Sequence, residues 1–213
     1  MNRARENMIA SLTDGLEPVR SFRMRDGVLA VGVAGIVTLV GIALIEGLWN
    51  GVWNGEAKPF FWVTNGLLLL LGLVSSGAAV GLASPSVGNR HDAPKWAAAM
   101  TGVLPIAAII SLIPHEDPIG TVMDPASTHC LAFALGASLL TGVVLTIWLR
   151  RGAPVSLNAA GWMAGLAAGA LGSVTYGMSC PLNSVTHLGI WHILPVAIAA
   201  IVGRLAIPPL VRW

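Results

Sequence analysis

The sequence predicts an all-α membrane protein, a bundle of six transmembrane helices with both termini on the cytoplasmic side. Three observations predict it. Of 213 residues, 55% are hydrophobic and only 10% are charged, against about 25% charged in soluble domains. Six separate apolar segments each reach roughly the ~20 residues needed to cross ~30 Å of hydrocarbon. Eleven of the twelve Lys and Arg residues fall on one side of the resulting topology, with Lys58 alone on the other. That bias sets the orientation, N-in and C-in.

The expected spans are residues 28–48, 62–82, 96–113, 130–149, 159–178 and 188–207. Residues 1–26 carry Arg3, Arg5, Arg20, Arg23 and Arg25 without the short apolar core of a signal peptide. The run from Val28 is therefore expected to be a retained first span. The third span contains Pro105 and the sixth Pro195, and both are expected to be kinked because proline removes a backbone donor. Trp49, Trp53, Phe60, Phe61, Trp62 and Trp191 fall near the outer interface, and Trp96, Trp148, Trp162 and Trp213 near the inner one. Aromatic side chains anchor helices at such positions. Gly161, Gly165 and Gly169 repeat every four residues in the fifth span, and Gly77 and Gly81 do so in the second. Small residues at this spacing let helix backbones approach, and an ordinary tight bundle is the favoured reading over a dedicated dimer interface.

The middle of every span lacks Asp, Glu, Lys, Arg and His; Glu46 and Arg204 stand at helix ends. Ion-coupled transporters and proton pumps use intramembrane ionisable groups, so that class is disfavoured. There is no room for a soluble catalytic domain, and a net charge of +2 does not suggest nucleic-acid binding. The chain is not expected to be an enzyme or to need a cofactor.

Both cysteines and four of the five histidines gather at the outer edge. Cys130 opens the fourth span and Cys180 closes the fifth, at similar depths on an antiparallel hairpin. Neighbouring helix axes lie ~8–10 Å apart, whereas a disulfide needs Cα atoms within ~4.4–6.8 Å, so pairing requires a bend at Cys180. Three readings stay open: inert packing residues, a structural or redox-active disulfide, or a metal site built from both thiols with His129, His187 or His192. No CxxC or HxxxH spacing favours the last. At the other end of the topology, Met8, Leu12 and Leu16 recur every four residues with Ile9 beside Met8. This predicts a short amphipathic helix ending near Pro18. It reads equally as a lipid-surface anchor or as a motif that docks a soluble partner. The expected division is thus a cytoplasmic segment, residues 1–26, and a membrane domain, residues 27–213.

The chain resembles the NrsF-type membrane anti-sigma factors, six-span negative regulators of extracytoplasmic-function sigma factors. The likeness runs the whole length. It includes Leu12, Asp14, Leu16, Pro18, Val19 and Arg20 near the start, and Arg150, Arg151 and Pro154 in the inner turn. It continues through Ala160 and Gly161, the stretch from Tyr176 to Cys180 and Pro181, Trp191, and the closing Leu210, Val211, Arg212 and Trp213. Relatives carry His where this chain has Ser179, which counts against a metal role at that position. The resemblance implies a protein of the bacterial inner membrane that sequesters a sigma factor at the cytoplasmic face. Leu12, Asp14, Leu16, Pro18 and Val19 would contact that partner. An oxidative or heavy-metal signal on Cys130 and Cys180 would release it. The alternative is a membrane redox, metal-binding or haem-binding protein using the outer His and Cys residues.

Overall fold

The computed structural model describes residues 3–14, 23–85, 92–114, 116–123 and 125–212, and no strand occurs among them. Ten helices follow in order among the described residues: α1 Arg3–Thr13, α2 Met24–Ile45, α3 Pro59–Leu82, α4 Ala93–Thr101, α5 Val103–Leu112, α6 Pro118–Val122, α7 Pro125–Arg151, α8 Leu157–Gly177, α9 Val185–Trp191 and α10 Leu194–Val211. A single 3₁₀ turn, Asn50–Val52, lies between α2 and α3.

The third and sixth expected spans are each divided in two. The breaks fall just before the prolines. A proline ring clashes with the carbonyl four residues back; for Pro105 and Pro195 those carbonyls belong to Thr101 and Trp191, the last residues of α4 and α9. Each proline then occupies the first turn of the next helix, where a missing N–H costs little.

Five stretches are long and apolar enough to cross a membrane by length and composition: Met24–Ile45, Pro59–Leu82, Ala93–Leu112, Ala126–Arg151 and Val185–Val211. The fifth expected span, α8, is not among them. Its 21 residues are rich in Gly and Ala, and it lies at the centre of the bundle against α10, α3 and α7. A helix wrapped by other helices has little need of large apolar side chains. The contrast is α2, where Val28, Leu29, Val33, Ile36 and Val37 are all exposed. That outward apolar stripe is what a lipid-facing helix requires.

Close approach explains the central position of α8. A Cβ on Gly161 would sit 2.6 Å from the Gly203 carbonyl oxygen, and one on Gly169 would sit 2.7 Å from the Val196 Cα. Gly165 meets the Ala199 carbonyl in the same way. The glycine repeat is therefore spent inside the chain, on α10. In the second span Gly77 behaves differently: a Cβ there would meet nothing within 4 Å, and the close contact is Gly72 against Leu171 of α8. The α7–α8 turn is pinned to the end of α3, since Ala153 N–H donates to the Ala83 carbonyl at 2.8 Å and Gly152 abuts the same residue.

At the start of the chain, α1 runs to Thr13 with Asp14 in a turn, and the expected helix end near Pro18 lies outside the described residues. Gly15 follows in the sequence, and glycine continues a helix poorly. Met8, Ile9 and Leu12 are exposed on α1.

Replacing Gly165 by Val should destabilise the bundle by about 1–3 kcal/mol, the usual cost of overpacking. Gly77→Val, facing open space, should change stability by no more than ~0.5 kcal/mol. Unfolding midpoints in detergent compare the two; equal midpoints would show that the α8–α10 contact does not carry the fold.

Candidate functional site

The end of the bundle formed by the last turn of α2, the first turns of α3, α7 and α9, and the last turn of α8 collects both thiols and the imidazoles of His129, His187 and His192. Cys130 lies in the second turn of α7. Cys180 comes three residues after α8 ends at Gly177, and Pro181 behind it cannot continue the helix. This is the bend that pairing requires. Ser184 then caps α9 by accepting the His187 N–H at 3.1 Å. The cap turns His187 inward, and the break between α9 and α10 places His192 beside it.

The two sulfurs stand 3.7 Å apart with no disulfide between them, and the cysteines are 3% and 0% exposed. Cys180 Sγ lies 3.6 Å from His187 Nε2. The Tyr176 hydroxyl donates to Cys130 Sγ at 3.6 Å. The Tyr176 ring stacks between Phe133 and His192, with centroids 5.7 and 6.3 Å away, and the His187 and His192 rings meet edge to face at 5.6 Å. One possible ligand atom from each of Cys130, Cys180, His187 and His192 lies within 4.8 Å of all the others, and all four residues are buried. His192 is 1% exposed, and neither ring nitrogen has a hydrogen-bond partner.

His129 lies outside this group. Its Nε2 meets Glu46 Oε2 at 2.9 Å, and its ring lies 4.3 Å from that of Phe133. The Glu46 pairing closes α2 onto α7 at the rim, with His129 half exposed. Two further contacts frame the site. Trp49 N–H donates to the Met178 carbonyl at 3.0 Å, tying the α2–α3 connection to the end of α8. Trp191 Nε1–H donates to the Val122 carbonyl at 2.9 Å, tying α9 to the end of α6.

Of the residues expected to contact a partner, Leu12 and Asp14 are exposed at the end of α1. Leu16, Pro18 and Val19 lie outside the described residues. Sequence reasoning had no signal for Tyr176 as the hydroxyl facing Cys130, because only the fold brings positions 46 residues apart together. The same holds for Glu46 and His129, 83 residues apart.

The sequence matches a known group of proteins. The family described as NrsF, negative regulator of sigma F, matches residues 12–213. The chain is similar to the probable anti-sigma-F factor NrsF of Azospira oryzae, 29% identical over 184 residues, covering 85% of each chain. It is also similar to the anti-sigma-F factor NrsF of Caulobacter vibrioides, 28% identical over 209 residues, covering 93% of this chain and 92% of that one. No solved structure matches. Members are regulators that act on a sigma factor and are not enzymes. The chain belongs to the NrsF family, the negative regulators of sigma F.

Proposed function

We propose that this protein is a membrane-bound anti-sigma factor that holds an extracytoplasmic-function sigma factor at the cytoplasmic face and releases it when Cys130 and Cys180 are oxidised. The observation that carries the reading is the pair of buried thiols 3.7 Å apart at the bundle end remote from the start of α2. A two-electron oxidant such as hydrogen peroxide would take one electron and one proton from each thiol. The S–S bond would form and the peroxide would leave as two waters. The sulfurs must then close by roughly 1.7 Å to reach bonding distance. That movement pulls the start of α7 and the segment after α8 together.

Six crossings with both ends inside fit the distribution of basic residues and the central place of α8, which needs no apolar surface of its own. The site then faces the outer side of a bacterial inner membrane. Residues 1–26 form the inner docking segment and residues 27–213 the membrane domain. Within the docking segment, Leu12, Asp14, Leu16, Pro18 and Val19 are the proposed contacts. Support comes from the exposed Met8, Ile9 and Leu12 on α1, which suit a helix laid into a partner's groove.

The energies are of the right size. Closing a loop of 50 residues is worth roughly 4 kcal/mol on the chain-entropy model. Driving a two-state equilibrium from 1:99 to 99:1 takes ~5.5 kcal/mol. Oxidation would bias the bundle strongly. Backbone-on-backbone packing between α8 and α10 makes a rigid path toward the other end, because close-packed interfaces rearrange between discrete states.

Cys130→Ser and Cys180→Ser should each abolish oxidant-induced expression from a sigma-dependent reporter; induction equal to wild type in both overturns the sensor. Deleting residues 1–20 should free the sigma factor from the membrane fraction. Co-sedimentation unchanged by the deletion overturns the docking role. Alkaline phosphatase, which folds actively only outside the cytoplasm, should be active when fused after Glu56 and inactive after Arg151; the reverse pattern overturns the orientation.

A further inference from the structure

We infer that Cys130, Cys180, His187 and His192 form a four-ligand site for a thiophilic divalent cation of the zinc and cadmium class. The two histidines complete a coordination shell that the thiols alone cannot supply. The inference rests on the preceding reading only for its regulatory consequence.

The distances carry it. A tetrahedral zinc ion has Zn–S bonds of ~2.3 Å and Zn–N bonds of ~2.05 Å, which set S···S edges at ~3.8 Å and S···N edges at ~3.6 Å. The sulfurs stand 3.7 Å apart, and Cys180 Sγ is 3.6 Å from His187 Nε2. Two edges of the tetrahedron are already at their bonded lengths. The fourth ligand, from His192, lies within 4.8 Å of the other three.

His192 supplies the independent sign that something belongs there. A buried polar group without a hydrogen bond is costly. His192 is 1% exposed, and both of its ring nitrogens lack a hydrogen-bond partner. Coordination through one nitrogen would satisfy it. For the other, Asn65 Oδ1 is a waiting acceptor. That oxygen also lacks a partner, and it shares with His192 Nδ1 the small space left by the missing Cβ of Gly177. Metal-bound histidines ordinarily donate their second N–H to such an acceptor.

Charge and chemistry agree. On binding, two S–H bonds break and two protons leave to solvent. Two metal–sulfur and two metal–nitrogen bonds form, and no electrons are transferred. Two thiolates neutralise the dication, so a buried complex carries no net charge. Sulfur and imidazole donors select zinc-like and softer ions over magnesium and calcium. The site ties together α7, the end of α8, α9 and the α9–α10 break. A bound ion holds the sulfurs at metal-bridged distance, so occupancy and an S–S bond exclude each other.

The test uses the full-length, reduced protein in detergent micelles, titrated with cobalt(II) and then displaced by zinc(II). One cobalt per chain is expected, with thiolate-to-metal charge transfer and the intense ligand-field bands of a tetrahedral ion. Zinc should slow alkylation of the thiols at least ~10-fold, and a chelator should restore the rate. His187→Ala and His192→Ala should each weaken binding at least ~10-fold, whereas His129→Ala should leave it unchanged. X-ray absorption of the zinc-loaded wild type should show two sulfur and two imidazole neighbours, a readout that stands even if a variant fails to fold. No stoichiometric cobalt, or a shell without imidazole, overturns the site. Metal binding intact with sigma-dependent induction unaffected in both Cys→Ser variants would instead defeat the sensor reading and leave the site standing.

Discussion

The contact between α8 and α10 is the interaction on which the rest of the molecule depends. In a lipid environment no hydrophobic force separates helix from solvent, so helices associate through close packing. Gly161, Gly165 and Gly169 bring the α8 backbone against Gly203, Ala199 and Val196 of α10. This contact, with those to α3 and α7, encloses α8 among other helices and lets it be built from Gly and Ala. Cys180 lies three residues beyond the end of α8, and His192 lies just before α10 begins.

On the proposed reading, a signal that starts at the thiol end of the bundle needs a medium that does not absorb it. The α7–α8 turn supplies part of it, clamped on Ala83 through Ala153 and Gly152. Trp148 reinforces the same joint by donating to the Val80 carbonyl at 3.2 Å. At the thiol end, Trp49 and Trp191 donate to backbone carbonyls and tie the connections to α8 and α9. Interfaces of this kind shift as units, which suits a protein whose task is to hold or release a partner. The polar groups are sorted by role. Glu46 and His129 close the rim, while Cys130, Cys180, His187 and His192 lie buried behind it.

The two chemistries proposed for the thiols use one geometry differently. Sulfurs at 3.7 Å are too far apart for a bond and correctly spaced for a shared metal ion. Oxidation must draw the helices together, whereas a metal keeps them where they stand. In the proposed metal site the histidines would decide which reduced state is held, and the Tyr176 hydroxyl donates to Cys130 Sγ.

Much of this was legible in the residues themselves. Composition and the lengths of the apolar runs marked out an all-helical chain, because a long apolar run satisfies its backbone groups most readily within a helix. The prolines located both helix breaks to within a turn. The depth of Cys130 and Cys180 followed from counting residues along a hairpin. Tertiary structure alone decided the remainder. It placed α8, the least apolar of the six segments, in the centre, and it spent the glycine repeat on α10. It turned His129 toward Glu46 while sending His187 and His192 to the thiols. The reason is physical: periodicity and hydropathy are local properties of a chain, whereas a site is made of atoms whose nearness depends on how separate helices pack.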